Sequence, residues 1–200
     1  MWEFFLKGGV MMIPLGFCSF AAIIIIIERL LFFYITNKDE NEGKEGIIHF
    51  LRQGKLDDVK SIILRLKSGS ARITEAAIEQ TVKDKDLIET AVQSAGAAEV
   101  KRLERGLGML DTIVTASPLL GLLGTVTGII RAFTALSVGD GVQATQLSLG
   151  IAEALYTTAF GLAIAIPSLF FLNYFYKIAE HRAEQLTNTC QEILTILNRR

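Results

Sequence analysis

Three long apolar stretches alternate with two polar ones along this chain. The first runs from Met11 to Ile35 and is interrupted only by Glu28 and Arg29. The second covers residues 112–136 and holds one charge, Arg131; the third, LSLGIAEALYTTAFGLAIAIPSLFFLNYFY at 147–176, also holds one, Glu153. About 20 apolar residues in an α-helix cross a ~30 Å hydrocarbon core, so each stretch predicts a transmembrane helix. The pattern therefore reads as an all-α membrane protein with three transmembrane helices and long cytoplasmic helical extensions. Its expected segments are 1–35 (N-terminal region and first span), 36–111 (cytoplasmic helical segment), 112–136 (second span), 137–146 (short periplasmic loop), 147–176 (third span) and 177–200 (cytoplasmic C-terminal helix).

The polar segments also carry helical periodicity. Proline is absent between Pro14 and Pro118. Ile47, Ile48, Phe50 and Leu51 form one short apolar face, and Val59, Ile62, Ile63 and Leu66 form another. From Thr74 onward, Ile78, Val82, Ile88, Val92, Leu103 and Leu107 interleave with charges, an amphipathic run that can pass straight into the second span. Such a stripe is buried against other helices of the chain or against a neighbouring subunit. The glycines of VGDGVQ mark the turn between the second and third spans. There are no internal repeats or low-complexity tracts.

Basic residues set the expected orientation. Arg29, Lys38 and Lys44 follow the first span, Lys101, Arg102 and Arg105 precede the second, and Lys177 and Arg182 follow the third, whereas 137–147 has neither Lys nor Arg. The middle segment and tail are then cytoplasmic, and the N-terminus and short loop face outward. Arg131 lies on the wrong side for this rule and is expected to snorkel outward. The N-terminus carries Glu3 before Lys7 and lacks both a strongly basic start and an A-x-A site, so it reads as an uncleaved membrane helix.

Composition narrows the function classes. Half of the 200 residues are hydrophobic and the formal net charge is −1, which suits a few spans plus a polar portion and argues against a nucleic-acid binder. Cys18 and Cys190 lie far apart without a CxxC pattern, suggesting neither a disulfide framework nor a zinc site. His49 and His181 read as solvated or packed side chains. No Walker A, H-E-x-x-H or G-x-S-x-G motif occurs. An enzyme is not expected, nor any metal or cofactor.

The candidate chemistry is intramembrane. A carboxylate in a membrane helix costs about 2.5–3.5 kcal/mol on insertion scales, so Glu153 is the candidate working residue; the bland alternatives are a side chain reaching the interface or pairing with a partner's cation. The second span carries Gly121, Gly124 and Gly128, and the third carries Gly150, Ala152, Ala154, Ala159, Gly161, Ala163 and Ala165. Small residues let helices approach closely in lipid, placing both spans in an inner layer, with the Ile-, Leu- and Phe-rich first span outside. Thr125 and Thr127 lie on the second span, Thr157 and Thr158 on the third. At about 100° per residue, Thr157 falls about 40° from Glu153 and Thr158 about 140° away. A hydroxyl bonded to its own helix backbone is the bland reading of each threonine. Glu28 with Arg29 reads as an interfacial pair.

The blocks TASPLLGLLGTVTGIIRAF (115–133) and GIAEALYTTAFGLAIAIPS (150–168), with this topology, resemble the two signature spans of the MotA/TolQ/ExbB proton channel family; three spans point to its ExbB/TolQ branch. The resemblance implies a homopentamer surrounding the membrane helices of an ExbD- or TolR-like single-span protein, whose aspartate carries the proton, in the bacterial inner membrane, with a TonB- or TolA-like protein as a further partner besides membrane lipid. By motif, Glu153 matches the family's acidic residue, Thr125 and Thr158 its threonines, and Pro118 and Pro167 fall in matching blocks. Helical geometry favours Thr157 as Glu153's face-mate, whereas the motif favours Thr158. The implied function is an ExbB/TolQ-like motor subunit driven by proton-motive force, energising TonB-dependent outer-membrane transport or TolQ-like envelope maintenance. A non-conducting membrane scaffold is the alternative from another class.

Overall fold

Six helices are present among the described residues. The computed structural model describes residues 9–66, 68–80, 85–137 and 143–198. The helices are α1 (Met12–Gln53), α2 (Leu56–Ile63), α3 (Gly69–Gln80), α4 (Lys85–Glu104), α5 (Leu107–Ser137) and α6 (Gln143–Asn198). Among the described residues, helix is the only regular structure, and three helices contain stretches long and apolar enough to cross a membrane. Residues 138–142, most of the expected VGDGVQ turn, lie outside the described residues.

Two breaks are made by glycines in the left-handed region, Gly54 (φ 77°) between α1 and α2 and Gly106 (φ 79°) between α4 and α5. That conformation is open to glycine and strained for other residues. The second break corrects one expectation: the amphipathic run does not pass straight into the second span. It stops at Glu104, and Leu110 N–H picks up the Gly106 carbonyl at 3.1 Å as helix resumes.

The chain forms two units, with α1 and α6 contributing to both. One unit takes α1 through Ile27, then α5, and α6 through Tyr174. Its centre is a seam between α5 and α6 made of residues too small to keep the backbones apart. A Cβ built on Gly161 would lie 2.5 Å from Ser117 O, and one on Gly121 would lie 3.0 Å from Thr157 O. One on Gly128 would lie 3.0 Å from both Ala154 Cβ and Gly150 O, and one on Gly150 would lie 2.7 Å from Ala132 Cβ. A Cβ on Gly124 would overlap the Thr157 side chain. Buried Leu110 and Ile113 of α5, Ile164 and Leu172 of α6, and Met12 and Leu15 of α1 complete this core. Outside it, Ile13, Phe17, Phe20 and Ile24 of α1 are exposed, a surface suited to lipid or another apolar partner.

Both proline sites fall within helices, Pro118 in α5 and Pro167 in α6. Each lacks the N–H that would bond four residues back. The adjacent Ser117 and Ser168 are buried, and each hydroxyl donates to a carbonyl of its own helix, Ile113 O and Ile164 O, both at 2.7 Å.

The second unit holds α1 from Glu28, α2, α3, α4, and α6 from Phe175. The apolar stripes close within the chain: Ile47, Leu51, Val59, Ile63, Ile73, Ile78, Ile88, Val92, Phe175 and Ile193 are all buried. Ser68 caps α3, accepting the Ala71 N–H at 3.2 Å. Arg72 and Glu99 tie α3 to α4 through paired hydrogen bonds, and Arg102 adds a contact to Glu99 at 3.6 Å. Cys190 packs beside Gly96, and burial pushes its thiol up, favouring the protonated form. His49 and His181 are exposed, each hydrogen-bonded to a glutamine one turn on.

Arg29 does more than form an interfacial pair. It is 2% exposed, binds Glu28 through two hydrogen bonds of 2.7 and 2.8 Å, and donates to Arg102 O (3.1 Å) and Leu103 O (3.4 Å). These carbonyls belong to the last turn of α4, where helical donors run out and the macrodipole favours a cation.

Arg29→Met is expected to destabilise this unit by about 1.5–3 kcal/mol, the range for hydrogen bonds to a charged donor. Hydrogen exchange over residues 100–105 should accelerate, and unchanged exchange there would refute the capping role. The glycines give a second check. Gly161→Ala forces a Cβ against backbone and should cost about 1–3 kcal/mol. Gly108→Ala meets nothing within 4 Å and should be neutral or stabilising by about 0.5–1 kcal/mol. Thermal unfolding of the two purified variants in one detergent would show the contrast.

Candidate functional site

The seam brings two hydroxyls to one backbone carbonyl. Thr157 donates to Gly121 O at 3.3 Å and to Ala154 O at 2.8 Å, and Thr158 donates to Gly121 O at 3.1 Å. A helix carbonyl can accept side-chain donors because it has a second lone pair, and Gly121 offers no side chain to block the approach. Thr157 is 1% exposed and committed to the seam, whereas Thr158 is half-buried. Thr125 behaves as the bland reading expects, bonding Leu122 O of its own helix at 2.6 Å. The structure thus joins Thr157, Thr158 and Gly121 and leaves Thr125 apart from them.

Glu153 lies at the end of this unit where α1 begins, α5 ends and α6 begins. Its carboxylate Oε1 accepts from Arg131 Nη1 at 2.9 Å, and its side chain is 25% exposed. The Arg131 side chain turns across the helix pair to reach this acid. An isolated Glu or Arg in an apolar segment is unfavourable, and partnering offsets part of that cost. The pairing also supplies the intrachain version of the bland reading of Glu153.

A cleft of about 110 Å³ adjoins the pair, lined by Val10, Met11, Gly124, Thr127, Arg131 and Glu153. It is roomy enough for water, which needs about 10–15 Å³ by the same kind of measure and two or more polar partners. Thr127 bonds Leu123 O and Gly124 O at 3.0 and 3.1 Å while standing on the cleft wall. The site can therefore hold a carboxylate in a polar, hydratable niche inside an otherwise apolar helix group.

Arg131, Thr127, Val10 and Met11 were not singled out as site residues by sequence reasoning. For Arg131 a signal existed: it lies six residues before the end of α5, and Glu153 ten after the start of α6. In an antiparallel pair with a short connection, that arrangement sets opposite charges near one level. Thr127 precedes Arg131 by one turn on α5. Val10 and Met11 gave no such signal.

The chain matches the MotA/TolQ/ExbB proton channel family over residues 65–188. It is 33% identical over 175 residues to a protein named ExbB-like 3 from Synechocystis, covering 86% of this chain and 83% of that one. It is 36% identical over 135 residues to the Tol-Pal system protein TolQ of Haemophilus influenzae, covering 68% and 56%. Against the biopolymer transport protein ExbB of Pseudomonas putida it is 33% identical over 168 residues, covering 82% and 46%. The chain thus spans about half the length of these last two relatives. With its three apolar helices, this membrane protein belongs to the ExbB/TolQ branch of the MotA/TolQ/ExbB proton channel family.

Proposed function

We propose that this chain is the ring-forming subunit of an inner-membrane motor driven by proton-motive force. Five copies would surround the membrane helix of a small ExbD/TolR-like partner, with the N-terminus outward and the polar segments cytoplasmic. The motor's output would be TonB-dependent outer-membrane transport. The observation that carries the reading is the carboxylate of Glu153, held beside a hydratable cleft on two tightly seamed, family-matching helices.

In this reading, a proton entering from outside neutralises the partner's aspartate near Thr125 and Thr158 and frees it from polar contacts for a rotational step. Thr158 suits the task better than Thr157, because Thr157 is enclosed in the α5–α6 seam and has no face left for a partner. Thr125, half-buried on α5, has a hydroxyl with acceptor capacity remaining beyond its bond to Leu122 O. Glu153 sustains a polar, water-accessible path, and Arg131 orients it. The seam of Gly121, Gly124, Gly128 and Gly161, with Pro118 and Pro167, fixes the geometry.

Two observations favour other readings. The likeness to a TolQ protein supports envelope maintenance as the output. The Arg131–Glu153 ion pair supports a scaffold in which Glu153 serves packing.

Glu153→Gln separates conduction from scaffolding: the amide keeps the shape and removes the charge. The variant is expected to assemble normally while proton-driven output falls at least tenfold, measured as proton uptake by liposomes containing the purified complex. Full conduction would exclude the pathway role, and failure to assemble would favour the scaffold. Thr158→Val should lower conduction several-fold with assembly intact, and Thr157→Val should mainly lower thermal stability. The reverse pattern would reassign the two threonines.

A further inference from the structure

We infer that Gly9 is a positioning residue for Glu153: its side-chain-free turn seats the carboxylate against Arg131 and covers it at the end where α1 begins. The functional consequence rests on the proton-pathway reading of Glu153; the contact itself rests on geometry.

Gly9 stands at the entry to α1 with φ 65°, and its carbonyl accepts the Met12 N–H at 3.2 Å. Met12 and Leu15, 1% and 0% exposed, anchor that first turn in the core of the unit. The turn is thus held in place by α1 packing. Glu153 Oε1 occupies the space a side chain at position 9 would take; a Cβ built there would collide with that oxygen, approach Glu153 Cδ to 2.6 Å and lie 3.4 Å from Arg131 Nη1. Two independent demands, the left-handed backbone and the missing volume, fall on one residue. The next two residues, Val10 and Met11, form one wall of the cleft that reaches the ion pair. Among the described residues, Arg131 and Glu153 are the charged groups lining it. The Gly9–Met11 turn thus stands against the carboxylate and beside the cleft that reaches it, and sets its orientation.

The test uses the assembled complex in its own membranes, with wild type, Gly9→Ala, Glu153→Asp and the double variant. A water-soluble carbodiimide with an amine nucleophile labels exposed carboxyls, and mass spectrometry reads modification at position 153. Gly9→Ala is expected to raise labelling several-fold, because the new methyl displaces the carboxylate from Arg131. Glu153→Asp withdraws the carboxylate by one methylene and leaves room for that methyl, so adding Gly9→Ala to it should change labelling little. Where Gly9→Ala alone fails to assemble, Glu153→Asp should restore assembly. Unchanged labelling in Gly9→Ala would overturn the inference. So would an equal rise in both backgrounds, which is what backbone strain alone produces, or failure of the double variant to assemble. If labelling follows the expected pattern while Glu153→Gln conducts like wild type, the positioning role stands and the proton-pathway reading falls.

Discussion

A carboxylate placed in an apolar helix must find a partner, and much of one unit is arranged around how Glu153 does so. The ion pair with Arg131 requires α5 and α6 to lie close enough for one arginine to span them. Closeness in turn requires Gly121, Gly124, Gly128, Gly150 and Gly161, where a single added carbon would meet backbone or a facing side chain. The same closeness delivers both threonine hydroxyls to Gly121 O. Seam, hydroxyls and ion pair are therefore one construction, in which small residues create the proximity and the polar groups use it.

The other unit solves a different problem with similar chemistry. Polar helices α2, α3 and α4 lack the long apolar faces of membrane helices and are held by short stripes plus directed charge. Arg29 shows the logic: a buried guanidinium is tolerated because Glu28 and the last carbonyls of α4 share its donors. Arg72 and Glu99 repeat it between α3 and α4. Arginine suits both places, since its planar fork satisfies two acceptors at once.

Much of this was legible in the sequence. Apolar run length and the lack of prolines from Pro14 to Pro118 gave the helical class and the spans, and small-residue spacing gave the seam. The Gly106 break was hidden because the stripe of Val92, Leu103 and Leu107 keeps helical spacing across it, and spacing does not report a backbone angle. The pairing of Arg131 with Glu153 was missed because charge bias was judged loop by loop. Weighing Arg131 against Glu153 across the hairpin shows the pair. The Thr157–Thr158 tension arose from treating α6 alone; at a seam this close, residues well apart around one helix both reach the same carbonyl of its neighbour. Gly9 left no trace, because its contact joins residues far apart in sequence and no periodicity carries it.

The motor depends on assembly, since a proton site at one helix pair drives motion only if several such pairs surround a moving partner. Native mass spectrometry of the complex, extracted gently from its own membranes, tests this most directly. Five copies of the chain with one or two copies of a small single-span protein are the predicted result. A monomer or dimer without such a companion would contradict the motor.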